Sequence, residues 1–239
     1  HLWGNAVKFN NLITLCKSRN IKIIEDASES IGTKIKVTKI KNKHVGTIGD
    51  IGCFSFNTNK IITCGSGGAA VTNNKKYYEK LKYYSTQAKD NDLFYIHNNI
   101  GYNYRLNNLN AAVGCAQFEI FDKILNKKQK ILKYYNKKIK NIESLTILQP
   151  PSFSLSNYWM NILIIDPKYK FNRNQLIKKF HKNNILVRPI WQLNHLQRHL
   201  KKFQKYQIKL SFDLINNSLC LPSSTDLTYQ DIDRIIKIL

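Results

Sequence analysis

The chain has 239 residues, 43% of them hydrophobic and 11% aromatic, which is enough to bury a sizeable core and excludes intrinsic disorder. No apolar run approaches the roughly 18 residues that span a bilayer, so no membrane span is expected. Lys and Arg number 38 against 15 Asp and Glu, a formal charge of +23. In chain order, Phe9, Leu12, Ile13 and Cys16 recur at helical spacing, and Ile21–Glu25, rich in β-branched residues, follows as a strand. Ile51–Phe56 and Gly68–Thr72 are further strand candidates with Gly and Ser punctuation between them. Short apolar strands alternating with helices predict an α/β unit built on a mostly parallel sheet. The helical pattern returns from Asn74 to Gln87 and again from Asn107 to Ile139, with one turn-like weakness at Phe121-Asp122. Pro150-Pro151 and the Ser-rich stretch after it read as a linker, because paired prolines cannot continue a helix. The boundary is placed nearby, giving a large domain over 1–145 and a small α+β domain over 146–239. In the latter, Tyr158–Ile165 reads as a strand, Asn172–His181 as a helix, Ile185–Arg188 as a strand and Leu227–Leu239 as a helix begun at Thr228.

The positive charge is dominated by lysine. Only Arg19, Arg105, Arg173, Arg188, Arg198 and Arg234 carry the guanidinium fork that phosphate-gripping sites favour. Lysine is spread along the chain beside 28 Asn and abundant Ile, the pattern of AT-rich codon drift, with attraction for an anionic partner as the alternative. No nucleic-acid partner is expected. Cys16, Cys53, Cys64, Cys115 and Cys220 are odd in number and lack CxxC spacing, so neither a disulfide framework nor a metal site is supported. A reducing cytoplasm fits that usage. No charged segment leads into an apolar one at the start, so no signal peptide is expected.

Asp26 directly follows a predicted strand, which places it at the carboxyl edge of the sheet, where open α/β sheets bind ligands. A helix cap is the competing reading. The segment Gly52 to Ala69 ends a strand in hydroxyl and amide side chains, places Lys60 just after it and returns through a Gly/Ser turn. A lysine there can form a Schiff base with an aldehyde cofactor, and Ser55 can hold a phosphate beside it. Read on composition alone, Lys60 is one solvated lysine among many and the glycines an ordinary hairpin.

The run Ile23-Ile24-Glu25-Asp26-Ala27-Ser28-Glu29-Ser30 and the run Gly46 to Phe56 followed by Lys60 together resemble motifs of one family. So do Gly101-Tyr102-Asn103-Tyr104-Arg105-Leu106 with Ala111 to Gly114 and Gln117, and Arg188-Pro189-Ile190-Trp191 with His195-Leu196-Gln197. The chain is similar, in order and over nearly its whole length, to the sugar-nucleotide aminotransferases named after DegT, DnrJ, EryC and StrS. These are pyridoxal-phosphate enzymes of the aspartate aminotransferase fold. The wording of Ser55 to Gly68 resembles the subgroup acting on 4-keto-6-deoxy UDP-sugars in legionaminic- and bacillosamine-type pathways.

The resemblance implies amino transfer, with glutamate as expected donor, to a keto-sugar nucleotide, in an α/β transferase fold with an incomplete large domain. It implies that Lys60 tethers the cofactor and shuttles the proton, that Asp26 pairs with the pyridine nitrogen, and that Ser55 binds the phosphate. Asn103 would reach the cofactor of a neighbouring subunit in a homodimer. Glu29 stands where many relatives carry Gln at the ring oxygen. Arg105, Arg188 and His195 would meet the nucleotide diphosphate or the donor carboxylate, while Arg188 reads equally as lobe packing, His195 as a helix start and Trp191 as core. Related sugar dehydratases replace the lysine with His, so Lys60 argues for amino transfer. Relatives carry an upstream segment with a phosphate-binding turn and a cofactor-stacking ring, whereas His1 to Asn5 resembles a point midway through the large domain. The chain is therefore expected to be a truncated or split product with weakened cofactor affinity and a tendency to associate; the alternative is a non-catalytic remnant or binding subunit.

Overall fold

The computed structural model describes residues 1–9, 11–36 and 40–239. The elements run α1 (Leu12–Ser18), β1 (Ile24–Asp26), β2 (Lys34–Ile35), β3 (Ile51–Ser55), β4 (Gly68–Val71), α2 (Lys75–Ser85), α3 (Asn108–Glu119), α4 (Phe121–Ile139), β5 (Leu145–Ile147), β6 (Ser154–Leu155), β7 (Asn161–Ile165), α5 (Arg173–Lys182), β8 (Arg188–Pro189), α6 (Leu210–Asn216), β9 (Ser218–Leu221) and α7 (Tyr229–Ile236). Two short 3-10 turns, Asn194–Leu196 and Arg198–Leu200, stand between β8 and α6. The chain forms two compact units. The first comprises His1–Leu125 with Pro150–Trp159, and the second Asn126–Gln149 with Met160–Leu239. The units interleave in sequence, so the single cut expected after residue 145 does not describe them, and the Pro150-Pro151 segment belongs to the first.

In the first unit a three-stranded sheet has the order β1-β3-β4. β1 and β3 are parallel, as expected, but β4 returns antiparallel to β3. The loop 56–67 between them contains no crossover helix, and the chain returns directly. A two-stranded pairing of β2 with β6, absent from the sequence reading, joins segments far apart in the chain. Ala6, Phe9, Ala27, Ile35 and Val45 form a buried cluster here, with Ile13, Ile48, Phe54 and Phe153 packed against it. Glu25 is 4% exposed. Its carboxylate accepts the Gly46 N–H at 2.7 Å, the Ile48 N–H at 2.6 Å and the Gly49 N–H at 2.5 Å, which satisfies a buried charge and pins the loop that leads into β3.

Side-chain caps set the helix boundaries. The Asn74 side chain accepts from the Lys76 and Tyr77 N–H groups and starts α2. That helix stops short of the expected Gln87 because Gln87 and Ala88 take left-handed φ values of 68° and 49°. The single helix expected over Asn107–Ile139 is two, α3 and α4, interrupted at Ile120 beside the predicted weakness.

The second unit carries an antiparallel sheet of order β5-β7-β9-β8. Leu163, Leu219, Leu176, Phe180 and Ile232 are fully buried in this unit, each contributing roughly 1.5–3 kcal/mol by leaving water. Capping boxes Asn172/Gln175 and Thr228/Asp231 open α5 and α7. Lys128, 6% exposed, donates to the Ser223 carbonyl and, at 3.0 Å, to the Ser223 hydroxyl; burial lowers its pKa to about 8. Trp191, read as core, is 47% exposed. Among the described residues no helix is long and apolar enough to cross a membrane, and no group of three or more His, Cys, Asp and Glu could hold a metal ion.

Candidate active site

Because β1 and β3 run the same way, their last residues emerge at one edge of the sheet. Asp26 ends β1 opposite Cys53, and Ser55 ends β3 two residues further on. The chain then forms the loop that carries Lys60 and re-enters the sheet with Gly68 opposite Ser55. Backbone bonds hold this loop: Phe56 N–H to the Gly67 carbonyl at 2.9 Å, Cys64 N–H to the Phe56 carbonyl at 2.9 Å and Lys60 N–H to the Asn57 carbonyl at 3.0 Å. Gly67 has φ +91°, a conformation that glycine adopts without strain. A Cβ on Gly68 would lie 2.3 Å from the Phe54 carbonyl oxygen, so the close return of the chain requires glycine there too.

Three charges meet at this edge. The Lys60 ammonium lies 4.0 Å from a Glu29 carboxylate oxygen, with both side chains largely covered. Hydrogen bonding from Ser28 and, as a smaller effect, the Lys60 charge hold the Asp26 carboxyl below its usual range, against the opposing effect of partial burial. Burial pushes Glu29 above the usual carboxylate value, outweighing the Trp3 N–H, which donates at 2.7 Å, and the Lys60 charge. Burial and the neighbouring Asp26 charge raise the Cys53 thiol. Asp26, Glu29 and Lys60 thus act on one another electrostatically at one edge of the sheet.

The Ser55 oxygen accepts the Asn57 N–H at 3.3 Å, which leaves its proton available to an acceptor at the strand end. Asn103 bridges antiparallel to Thr86, and both Asn103 and Arg105 are exposed on the 101–106 segment of the first unit. Arg188 lies in β8 opposite Cys220, and His195 packs its ring edge-on to Phe212 at 5.5 Å. These two belong to the second unit, so the first unit brings together Asp26, Glu29, Ser55 and Lys60 without them.

One neighbour of Lys60 carries no signal in the sequence. Trp159, 4% exposed, places its ring 4.6 Å from the Lys60 ammonium and donates its indole N–H to the Asn59 carbonyl at 2.8 Å. The Asn157 side chain donates to the Glu29 and Ile31 carbonyls at 2.9 Å. Nothing in local spacing relates residues 157–159 to Lys60, because the approach depends on the long-range pairing of β6 with β2.

The donor set fits pyridoxal phosphate. An ionised Asp26 suits a protonated ring nitrogen, the Lys60 amine an aldehyde and the Ser55 hydroxyl a phosphate, while the glycine backbone at 67–68 leaves the strand end free of side chains.

A sequence profile of the DegT/DnrJ/EryC1/StrS aminotransferase family matches residues 1–239. The GDP-perosamine synthase of Escherichia coli O157:H7 is 35% identical over 234 residues, covering 97% of this chain and 61% of that protein. The UDP-4-amino-4,6-dideoxy-N-acetyl-beta-L-altrosamine transaminase of Campylobacter jejuni is 29% identical over 181 residues, covering 73% of this chain and 46% of that protein. Among solved structures, a DegT DnrJ EryC1 StrS aminotransferase from Brucella abortus superposes with a TM-score of 0.86 at 25% identity, over 99% of this chain and 61% of that one. The expected transferase fold is therefore the fold found. The chain spans about three-fifths of the length of the GDP-perosamine synthase it matches, 61%.

Proposed function

Because the chain belongs to the DegT/DnrJ/EryC1/StrS aminotransferase family, we propose that it serves pyridoxal-phosphate-dependent amino transfer to a keto-sugar nucleotide, with glutamate as donor. The observation that carries this reading is the Lys60 amine set beside Glu29 and acting on Asp26 at the carboxyl edge of the β1–β3 pair. When bound, the cofactor supplies an electron sink for the carbon that gains or loses the amino group. Asp26 holds a proton at the ring nitrogen, Ser55 donates to the phosphate, and Glu29 lies on the Lys60 side of the site. Lys60 tethers the cofactor and, once released, moves the proton at the substrate carbon. Arg105, Arg188 and His195 are proposed to meet the anionic groups of nucleotide and donor.

The proposal includes a homodimer in which Asn103 reaches the partner's cofactor. Its support is the run of exposed Leu93, Phe94, Tyr95, Ile96, Ile100, Tyr102 and Tyr104 flanking Asn103, an apolar surface of the kind that marks interfaces. Five free cysteines support a reducing compartment. The test supplies the chain with pyridoxal phosphate, glutamate and a UDP- or GDP-linked 4-keto-6-deoxy sugar, and follows 2-oxoglutarate. Wild type is expected to release it with a matching amino-sugar product, Asp26→Asn to be slower by on the order of 100-fold, and Lys60→Ala to be inactive. Equal product from Lys60→Ala would contradict the proposal.

A further inference from the structure

We propose that Trp159 is a positioning residue for Lys60: its indole N–H anchors the backbone just before the lysine, and its ring face receives the free ammonium. The inference rests on Lys60 being the reactive amine and adds a residue that neither spacing nor motif assigns. Two independent contacts carry it. The Trp159 Nε1–H donates to the Asn59 carbonyl at 2.8 Å, fixing the turn from which Lys60 projects. The ring centroid is 4.6 Å from the Lys60 Nζ, within the distance at which an aromatic face attracts a cation. Both groups are shielded, Trp159 at 4% exposure and the Lys60 side chain at 13%, so bulk water screens the attraction little.

Glu29 stands at 4.0 Å from the same ammonium, so the amine has a carboxylate and a ring as its neighbours. The Trp159 backbone N–H donates to the Asn157 Oδ1 at 3.0 Å, and the Asn157 side chain donates to the Glu29 carbonyl. One short segment, 157–159, thereby fixes the backbone of Glu29 and the ring over Lys60 together. The consequence is a defined resting place for the lysine when its nitrogen is bonded to nothing else, which keeps a long flexible side chain near its point of action instead of free in solvent. A lysine that had to be collected from many rotamers at each turnover would react more slowly.

The experiment uses the cofactor-free chain and reads Lys60 directly. An amine-acylating reagent is applied for short times, and modification of the Lys60 peptide is compared by mass spectrometry with that of exposed lysines in the same sample. Wild-type Lys60 is expected to be protected, Trp159→Leu, which loses both the ring face and the N–H to the Asn59 carbonyl, to raise its relative rate by roughly fivefold, and Trp159→Phe, which keeps a ring but loses that N–H, to fall between Trp159→Leu and wild type. An unchanged rate in a folded Trp159→Leu overturns the proposal. If that variant fails to fold, wild-type proton NMR decides: the Lys60 ε-methylene resonance should lie upfield of the other lysines through the ring current, and its presence among them would overturn the proposal equally. Neither readout requires turnover. A chain that protects Lys60 but never binds cofactor would therefore sink the functional reading alone, whereas one that loads cofactor with an unprotected Lys60 would sink this inference alone.

Discussion

At the scale of single residues, the partly buried His44 of the first unit uses both of its ring nitrogens. His44 accepts the Gly32 N–H on Nε2 at 2.6 Å and, through Nδ1, bonds the Val45 carbonyl at 2.6 Å. That pattern needs the neutral ring with its proton on Nδ1. Burial, assisted by the Lys34 charge, lowers the pKa from 6.5. The unfolded chain binds the proton more readily, so the stability this residue contributes is present above pH 6.5 and is lost as pH falls through the lower folded value. The urea midpoint is expected to fall between about pH 7.5 and about pH 5 in wild type, and to fall less in His44→Gln; an equal fall in both would show that His44 is not responsible. The site itself was partly legible. Asp26, Ser55 and Lys60 were marked by strand ends and glycine punctuation, and the fold brings them to one sheet edge. Trp159 was not legible, because Asn59 lies 100 positions away and no local pattern reports so distant a contact.

Among elements, the segment 46–52, a loop that runs into the start of β3, governs how β1 and β3 meet. A Cβ on Gly52 would lie 1.8 Å from the Gly46 carbonyl oxygen, and Gly46 is itself held through its N–H by Glu25. Backbone pinned at both ends cannot yield cheaply, so Gly52→Ala is expected to cost about 2–4 kcal/mol in urea unfolding. A loss within experimental error would mean that the loop is softer than this geometry implies. Helices were legible wherever a side chain caps them, as with Asn74, Asn172 and Thr228, since capping is local chemistry. The strand β9, Ser218–Leu221, was not anticipated although it sits inside the second sheet between β7 and β8. Its four residues mix Ser and Cys with Leu and follow directly on α6, so neither period nor length distinguishes them from a loop. The direction of β4 and the β2–β6 pairing were hidden for the related reason that strand partners are chosen by tertiary contact.

For the whole molecule, the +23 charge is a field without a fork. Lysines on the exposed face of α4 and elsewhere should draw polyanions at low salt without reading them. Binding to duplex DNA is accordingly expected to be insensitive to sequence and to fall steeply with salt; a sequence-selective complex that persists at physiological salt would instead indicate a nucleic-acid partner. The account as a whole depends on Lys60 being the amine that joins the cofactor. The most direct measurement is borohydride reduction of the chain incubated with pyridoxal phosphate, followed by peptide mapping. The account predicts the reduced cofactor on the Lys60 peptide and its loss from that position in Lys60→Ala, whereas label scattered over surface lysines with Lys60 unmodified would contradict it.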